Sequence, residues 1–313
     1  MTQRPMVTVL GSLNTDISVP VPHLPGAGET VLAQGQAAFG GGGKGANQAV
    51  AAARLGASVR MAGCCGDDAF GASLRDGLSA EGVDTSGVRV IAGVASGLAL
   101  ICVDPAGENS IAVAPGANSH AGEQEAAATF GARCDILVLC AEIPVATLVL
   151  ALRRARTEQA RTVLNLAPVP PDAGELLAVG PDWLVVNAAE AGALLGQPVT
   201  GVADARLAAQ SLARDRHAVV TLGPAGAVVA GPDPADPVTV AGFAVDSVDS
   251  VGAGDAFVGA LAVMLASQAD AQAAVRAACA AGAAATTRRG AQRALPHPAG
   301  VRAATGFSWP LAG

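Results

Sequence analysis

Short apolar, β-branched runs recur along the chain at residues 7–13, 59–64, 136–140, 162–166, 183–186 and 218–222, and helix-length Ala- and Leu-rich segments separate most of them. Strands that alternate with helices specify βαβ units, whose right-handed crossovers build a parallel sheet covered by helices on both faces. The packing material agrees. Of the 313 residues 51% are hydrophobic, yet only 3% are aromatic and none is tyrosine, so Ala, Val, Leu and 39 glycines must fill the interior. Small side chains of this kind suit helices lying close on a buried parallel sheet better than an aromatic-rich sandwich.

Two segments break the rhythm. Residues 15–39 and 93–115 carry short strand patterns punctuated by turn residues, among them Pro20, Pro22, Pro25, Gly26 and Gly28. They are expected to fold together as a small β flap over one edge of the main sheet, beyond the carboxyl ends of the strands where ligands of open α/β sheets lie. The first helix is expected over 45–55, stopped by Gly56, and the Ala-rich stretch 271–285 reads as a tightly packed helix. No tandem repeat or long linker interrupts the chain, so residues 1–313 read as one domain.

Charge and cysteine usage exclude whole classes of function. A net charge of −7 and a pI near 5.0 argue against a nucleic-acid partner, which needs a basic footprint. The six cysteines form no C-x-x-C pair, and five lie in or beside apolar runs, as buried thiols of a reducing compartment do. The N-terminus passes into a strand pattern without a leader, and no run is long enough to span a bilayer; the expectation is a soluble cytoplasmic protein without a membrane partner.

The segment with most chemistry in it is Asp249-Ser-Val-Gly-Ala-Gly-Asp-Ala-Phe257, which opens an uncharged apolar helix. Gly252 and Gly254 allow successive N–H groups to converge on one point, and the helix dipole adds positive character there, as an anion in transit requires. Asp255 would repel a resting phosphate; its use is as a proton acceptor, or else it simply caps the helix. Asn14 and Asp16 follow the first strand with alternate spacing, either facing adjacent hydroxyls of a ligand or forming an Asx turn. Gly40 to Gly43 with Lys44 and Asn47 lacks the Gly-Lys-Ser/Thr ending of a P-loop and suits close backbone approach to a small polar ligand. Glu142 follows the run 136–140. Asn187 and Glu190 follow the run 183–186, spaced to hold Mg²⁺ through its waters or to form a capping box. Thr221, Gly223 and Gly226 mark a turn with room for a nucleotide, or a plain hairpin turn. None of the four histidines sits in a hydrolase motif.

Taken together and in order, these segments resemble the ribokinase branch of the PfkB sugar kinase family. The first family signature is matched by residues 39–56 (FGGGGKGANQAVAAARLG) with Gly66, Asp67 and Asp68, and the second by residues 249–257 (DSVGAGDAF). GSLNTD at 11–16, SGLALICVD at 96–104, GENSIAVAPGAN at 107–118 and TRRGAQ at 287–292 are similar to the ribokinase branch in particular. The resemblance implies a ribokinase-like three-layer α/β sandwich with a mostly parallel central sheet and a small β-sheet lid. It implies ATP-dependent phosphorylation of D-ribose at O5, with deoxyribose, a ketohexose or a nucleoside as alternative acceptors and a non-catalytic sugar sensor as the rival from another class. Asn14, Asp16, Gly42, Gly43, Lys44, Asn47 and Glu142 would line the sugar pocket. Asp255 would take the proton of the primary hydroxyl, and the amides of Gly252, Ala253 and Gly254 would form the anion hole. Asn187 and Glu190 would serve Mg²⁺-ATP, while Thr221, Gly223, Gly226 and Cys279 would border the nucleotide. A potassium ion would involve Asp249 and the carbonyls of Val251, Ala285, Arg288 and Gly290. The family also implies a homodimer joined through the lid. Three positions depart from its pattern: one extra glycine in 40–43, Ser250 for the common Thr, and Ala294 where a serine oxygen often meets the monovalent ion.

Overall fold

The computed structural model describes residues 4–130, 133–233 and 236–311. Its larger sheet is built on β1 (Met6–Leu10), β4 (Ser58–Gly66), β5 (Val83–Ile91), β8 (Ile136–Cys140), β9 (Arg161–Asn165), β10 (Trp183–Asn187), β11 (His217–Thr221), β12 (Ala227–Ala230) and β13 (Val238–Val240). The strands lie in the order β13-β12-β11-β10-β9-β8-β1-β4-β5. Every pairing from β5 to β11 is parallel, and only β12 and β13 run antiparallel to their neighbours. A smaller sheet of β2 (Asn14–Pro20), β3 (Ala38–Gly42), β6 (Gly97–Val103) and β7 (Asn109–Ala114) stands apart, ordered β3-β2-β6-β7.

Ten helices complete the described residues: α1 (Lys44–Arg54), α2 (Ala69–Ala80), α3 (Glu123–Ala128), α4 (Val145–Thr157), α5 (Ala173–Val179), α6 (Ala188–Leu195), α7 (Val202–Ala213), α8 (Ala253–Ala266), α9 (Ala271–Ala285) and α10 (Pro298–Thr305). Side chains of a buried parallel strand alternate between two apolar layers. In β8, Ile136 and Val138 pack with α1, α8 and α9 on one face, whereas Leu137 and Leu139 pack with α4, α5 and α7 on the other. The result is the three-layer arrangement that the alternating runs predict.

The apolar run 7–13 does not form one strand. β1 ends at Leu10, and Gly11 to Leu13 carry the chain across to the smaller sheet, where β2 begins at Asn14. A Cβ on Gly11 would lie 2.9 Å from Gly45 Cα and collide with Cys140 Sγ, so the chain crosses here on glycine. The run misleads because Leu13 is fully buried without being in a strand. The flap is likewise shorter in strand than 15–39 and 93–115 imply: residues 21–37 connect β2 to β3 without strand structure. The first helix spans Lys44–Arg54, with Gly56 at φ 103° just beyond it, and α9 coincides with the expected 271–285.

Candidate active site

A cavity of about 340 Å³ opens between the carboxyl ends of β9, β10 and β11, the N-termini of α1 and α8, and the inner face of the smaller sheet. It is large enough for a small polar ligand. Asn14, Asp16, Gly43, Lys44, Asn47, Glu142, Asn187, Glu190, Thr221, Val251, Gly252, Gly254 and Asp255 all line it, gathering segments more than two hundred residues apart.

Asp255 lies in the first turn of α8 and does not cap it. The cap position is Gly252, held at φ 80° and making no side-chain cap bond, which removes the capping alternative. Instead the Asp255 carboxylate is buried and accepts from Asn47 Nδ2 at 2.8 Å and from Gln48 Nε2 at 3.0 Å. Burial pushes its pKa up; Lys44 and the two amides pull in the opposite direction.

Glu142 is fixed from two sides, with Ser12 Oγ donating to Oε2 at 2.5 Å and the Lys44 N–H donating to the same oxygen at 3.0 Å. Burial works against the charge of Lys44, but the carboxylates of Asp255 and Glu142 outweigh it and hold the ammonium above the usual lysine pKa. Asp16 is raised to about 6, first by burial and then by the nearby charges of Glu142 and Asp255. Asn14 and Asp16 stand two residues apart on β2, so they share a face of the smaller sheet in place of an Asx turn. Gly42 pairs with Asn14 across β2 and β3 and does not itself line the cavity; a Cβ there would run into the Asp16 carboxylate. Gly43, at φ 85°, takes the left-handed conformation that starts α1.

At the other end of the cavity, Asn187 and Glu190 form a reciprocal capping box: Glu190 N donates to Asn187 Oδ1 at 2.8 Å and Asn187 N donates to Glu190 Oε2 at 2.7 Å. Both still line the cavity, and burial raises the pKa of Glu190. Gly223 and Gly226 lie in the turn joining the antiparallel pair β11 and β12, closed by Leu222 N donating to Gly226 O, and neither lines the cavity. Cys279 is in the α9 core with its thiol pushed up to about 12 by burial, and it too stands outside the cavity. Ala253 contributes to the α8 start without lining it.

Of the residues expected around a monovalent ion, Val251 lines the cavity and Asp249 is bonded to it and to Gly290. Asp249 Oδ1 accepts from Val251 N at 3.0 Å and Oδ2 accepts from Gly290 N at 2.9 Å, so one carboxylate ties the two loops together. Among the described residues the carbonyls of Val251, Arg288 and Gly290 accept no backbone bond of the loop, whereas that of Ala285 accepts from Arg288 N. A carboxylate and backbone carbonyls are oxygen donors of the kind a hard cation takes. Ala294 is buried and has no side-chain oxygen to add.

Several residues at this site carry no local signal. Asn118, between β7 and α3, donates through Nδ2 to Asn14 Oδ1 at 2.7 Å and to Leu13 O, and accepts from Leu13 N. It thereby holds the side chain of Asn14, which lines the cavity. Ser12 and Gln48 act equally at long range. Ala99, Ile101, Ile111 and Val113 roof the cavity from β6 and β7, and only their alternation within the flap segments could have marked them.

The sequence matches the pfkB family carbohydrate kinase over residues 4–298. A ribokinase of Haemophilus influenzae is 36% identical over 299 residues, covering 94% of this chain and 96% of its own. A deoxyribokinase of Salmonella typhi is 34% identical over 296 residues, covering 93% and 95%. The solved structure of Arabidopsis thaliana ribokinase complexed with ribose and ATP has a TM-score of 0.85 at 28% identity, over 98% of this chain and 100% of that one. Fold and site thus define an α/β sugar kinase, and the chain belongs to the pfkB family of carbohydrate kinases.

Proposed function

We propose that the protein transfers the γ-phosphoryl group of ATP to O5 of D-ribose, giving D-ribose 5-phosphate and ADP. The observation that carries this reading is the placement of a buried carboxylate, Asp255, one step into a helix whose N-terminal glycine loop faces the same cavity as Asn14, Asp16, Lys44 and Glu142. Amide and carboxylate groups on β2 offer a donor and an acceptor to neighbouring ribose hydroxyls. Asp255 accepts the proton of the 5-hydroxyl as that oxygen attacks the γ-phosphorus and ADP departs. The amides of Gly252, Ala253 and Gly254, at the positive end of α8, stabilise the charge spread over the migrating group. Lys44 is the one cationic side chain lining the cavity among the described residues, and it balances the carboxylates while the phosphate approaches.

Among the described residues no group of three His, Cys, Asp or Glu side chains is arranged to hold a metal. A divalent ion is therefore best suited to arrive with the nucleotide phosphates, met through water by Glu190 and Asn187. Bound there, it would neutralise phosphate charge. The Asp249 cluster would hold potassium and fix the shape of the anion-hole loop. The smaller sheet acts as a lid that excludes water from the reacting groups. Its outer strand, β7, is exposed along its whole length, which favours pairing of two lids in a homodimer.

The test is Asp255→Asn combined with a kinase screen over pentoses, hexoses and nucleosides, with and without potassium. Turnover should fall by at least about a thousandfold while ribose binding persists. Unchanged turnover would show that another group is the base. A second reading, phosphorylation of 2-deoxyribose, is favoured by the nearly equal match to a deoxyribokinase, over 296 residues against 299. A preference for deoxyribose over ribose of tenfold in kcat/KM, about 1.4 kcal/mol, would replace the substrate assignment.

A further inference from the structure

Helix α1 sends two consecutive amides to one carboxylate, Asn47 to Oδ2 and Gln48 to Oδ1 of Asp255. Adjacent helical residues diverge by about a hundred degrees, so both reach the same group only if it is seated between them, where α1 and α8 cross. Gly259, one turn beyond Asp255, makes that crossing close: a Cβ on it would lie 2.6 Å from Ala51 Cβ and 2.9 Å from the Gln48 carbonyl.

Gln48 is fully buried and does not line the cavity, so it does not touch the ligand. Its Oε1, like Asn47 Oδ1, has no hydrogen-bond partner among the described residues. Burying an unpaired carbonyl is unfavourable, and a methionine would fill the same space without that penalty. The amide is accounted for by the carboxylate it serves. We propose that Gln48 is a positioning residue for phosphoryl transfer: its N–H donor holds Asp255 in the carboxylate form and fixes the plane of that group toward the cavity. This rests on Asp255 being the base.

The charged groups facing Asp255 are Lys44 from α1, Glu142 from the segment after β8 and Asp16 from β2. None is altered by changing Gln48.

The test uses the full-length protein carrying ¹³C-carboxyl aspartate, with the Asp255 resonance identified by its loss in Asp255→Asn. In Gln48→Met the Asp255 titration midpoint should rise by about one pH unit. The acid limb of kcat should move up with it, so that turnover lost near the limb returns at higher pH, while KM for the sugar stays within about twofold, Gln48 being outside the pocket. A lowered thermal midpoint with the Asp255 titration unmoved would mark Gln48 as structural only and overturn the proposal. Gln48→Leu is a second chance should Met fail to pack. If neither folds, the wild-type protein decides: the side-chain amide protons of Gln48 must shift with the same midpoint as the Asp255 carboxyl, and a flat response overturns the proposal. Persistent turnover in Asp255→Asn would sink the base assignment, whereas its collapse together with an unmoved titration in Gln48→Met would sink the role of Gln48 alone.

Discussion

Four acidic side chains, Asp16, Glu142, Glu190 and Asp255, share the cavity with Lys44. Asp16 bears the consequence most openly, its pKa raised from the usual 3.8 to about 6 by burial and then by Glu142 and Asp255. A raised carboxyl pKa means that the folded state binds more protons than the unfolded chain between these two values. The contribution to stability is therefore fully present below about pH 3.8 and lost as pH rises through about 6. Asp16→Asn, which removes the charge, should stabilise the ligand-free protein by on the order of 2 kcal/mol at pH 7.5, allowing for partial exposure, and by almost nothing at pH 4. It should also weaken sugar binding. Denaturant unfolding at the two pH values checks this, and an equal gain at both would show that charge is not the cause. The same residue scale separates what local sequence reveals from what it hides. The Asn187 and Glu190 pair is legible as a capping box because its partners are three residues apart. Gln48 and Asn118 are not, because each earns its role from a residue more than a hundred positions away.

Helix α8 depends on two glycines for different reasons. Gly252 supplies the left-handed turn at which α8 begins, and Gly259 lets α1 approach closely enough for its amides to reach Asp255. Gly259→Ala would force a methyl group against Ala51, the Gln48 carbonyl and Ala52 N at 3.0 Å. The helices must part, and overpacking of this kind costs about 1–3 kcal/mol. Thermal unfolding should register that loss, and kcat should fall with it, because the hydrogen bonds to Asp255 span the same crossing. Retained kcat in a destabilised variant would mean that the proposed base tolerates separation of the helices. At this scale the glycine stop locates α1, and the Ala-rich stretch locates α9, nearly to the residue. The apolar runs fail at residues 11–13, where buried Leu13 continues an apolar pattern after the strand has ended.

For the whole molecule, the nine-stranded sheet sets the distances that matter. Its order places β8 beside β1 and β9 beside β8, so Glu142 and Asn165 come to one edge with the segment that begins at Gly11. The smaller sheet then roofs that edge with Ala99, Ile101, Ile111 and Val113. Leu100, on the face of β6 opposite Ala99 and Ile101, remains 51% exposed, and with the exposed edge of β7 it is the surface on which the proposed dimer would rest. Leu100→Asp should convert a dimer of about twice 30.5 kDa to a monomer, as measured by sedimentation. A wild-type protein that sediments as a monomer would remove the dimer from the proposal. The order of residues alone determined the class of fold, since the period of apolar side chains reflects which faces are buried, and it marked the glycine loops, since only certain residues permit those backbone angles. Tertiary structure alone decided which carboxylates become neighbours, that Asp16 is pushed above its ordinary pKa, and which amides serve Asp255. Those properties depend on strand order and helix crossing, where burial and charge act through space between segments that local periodicity cannot relate.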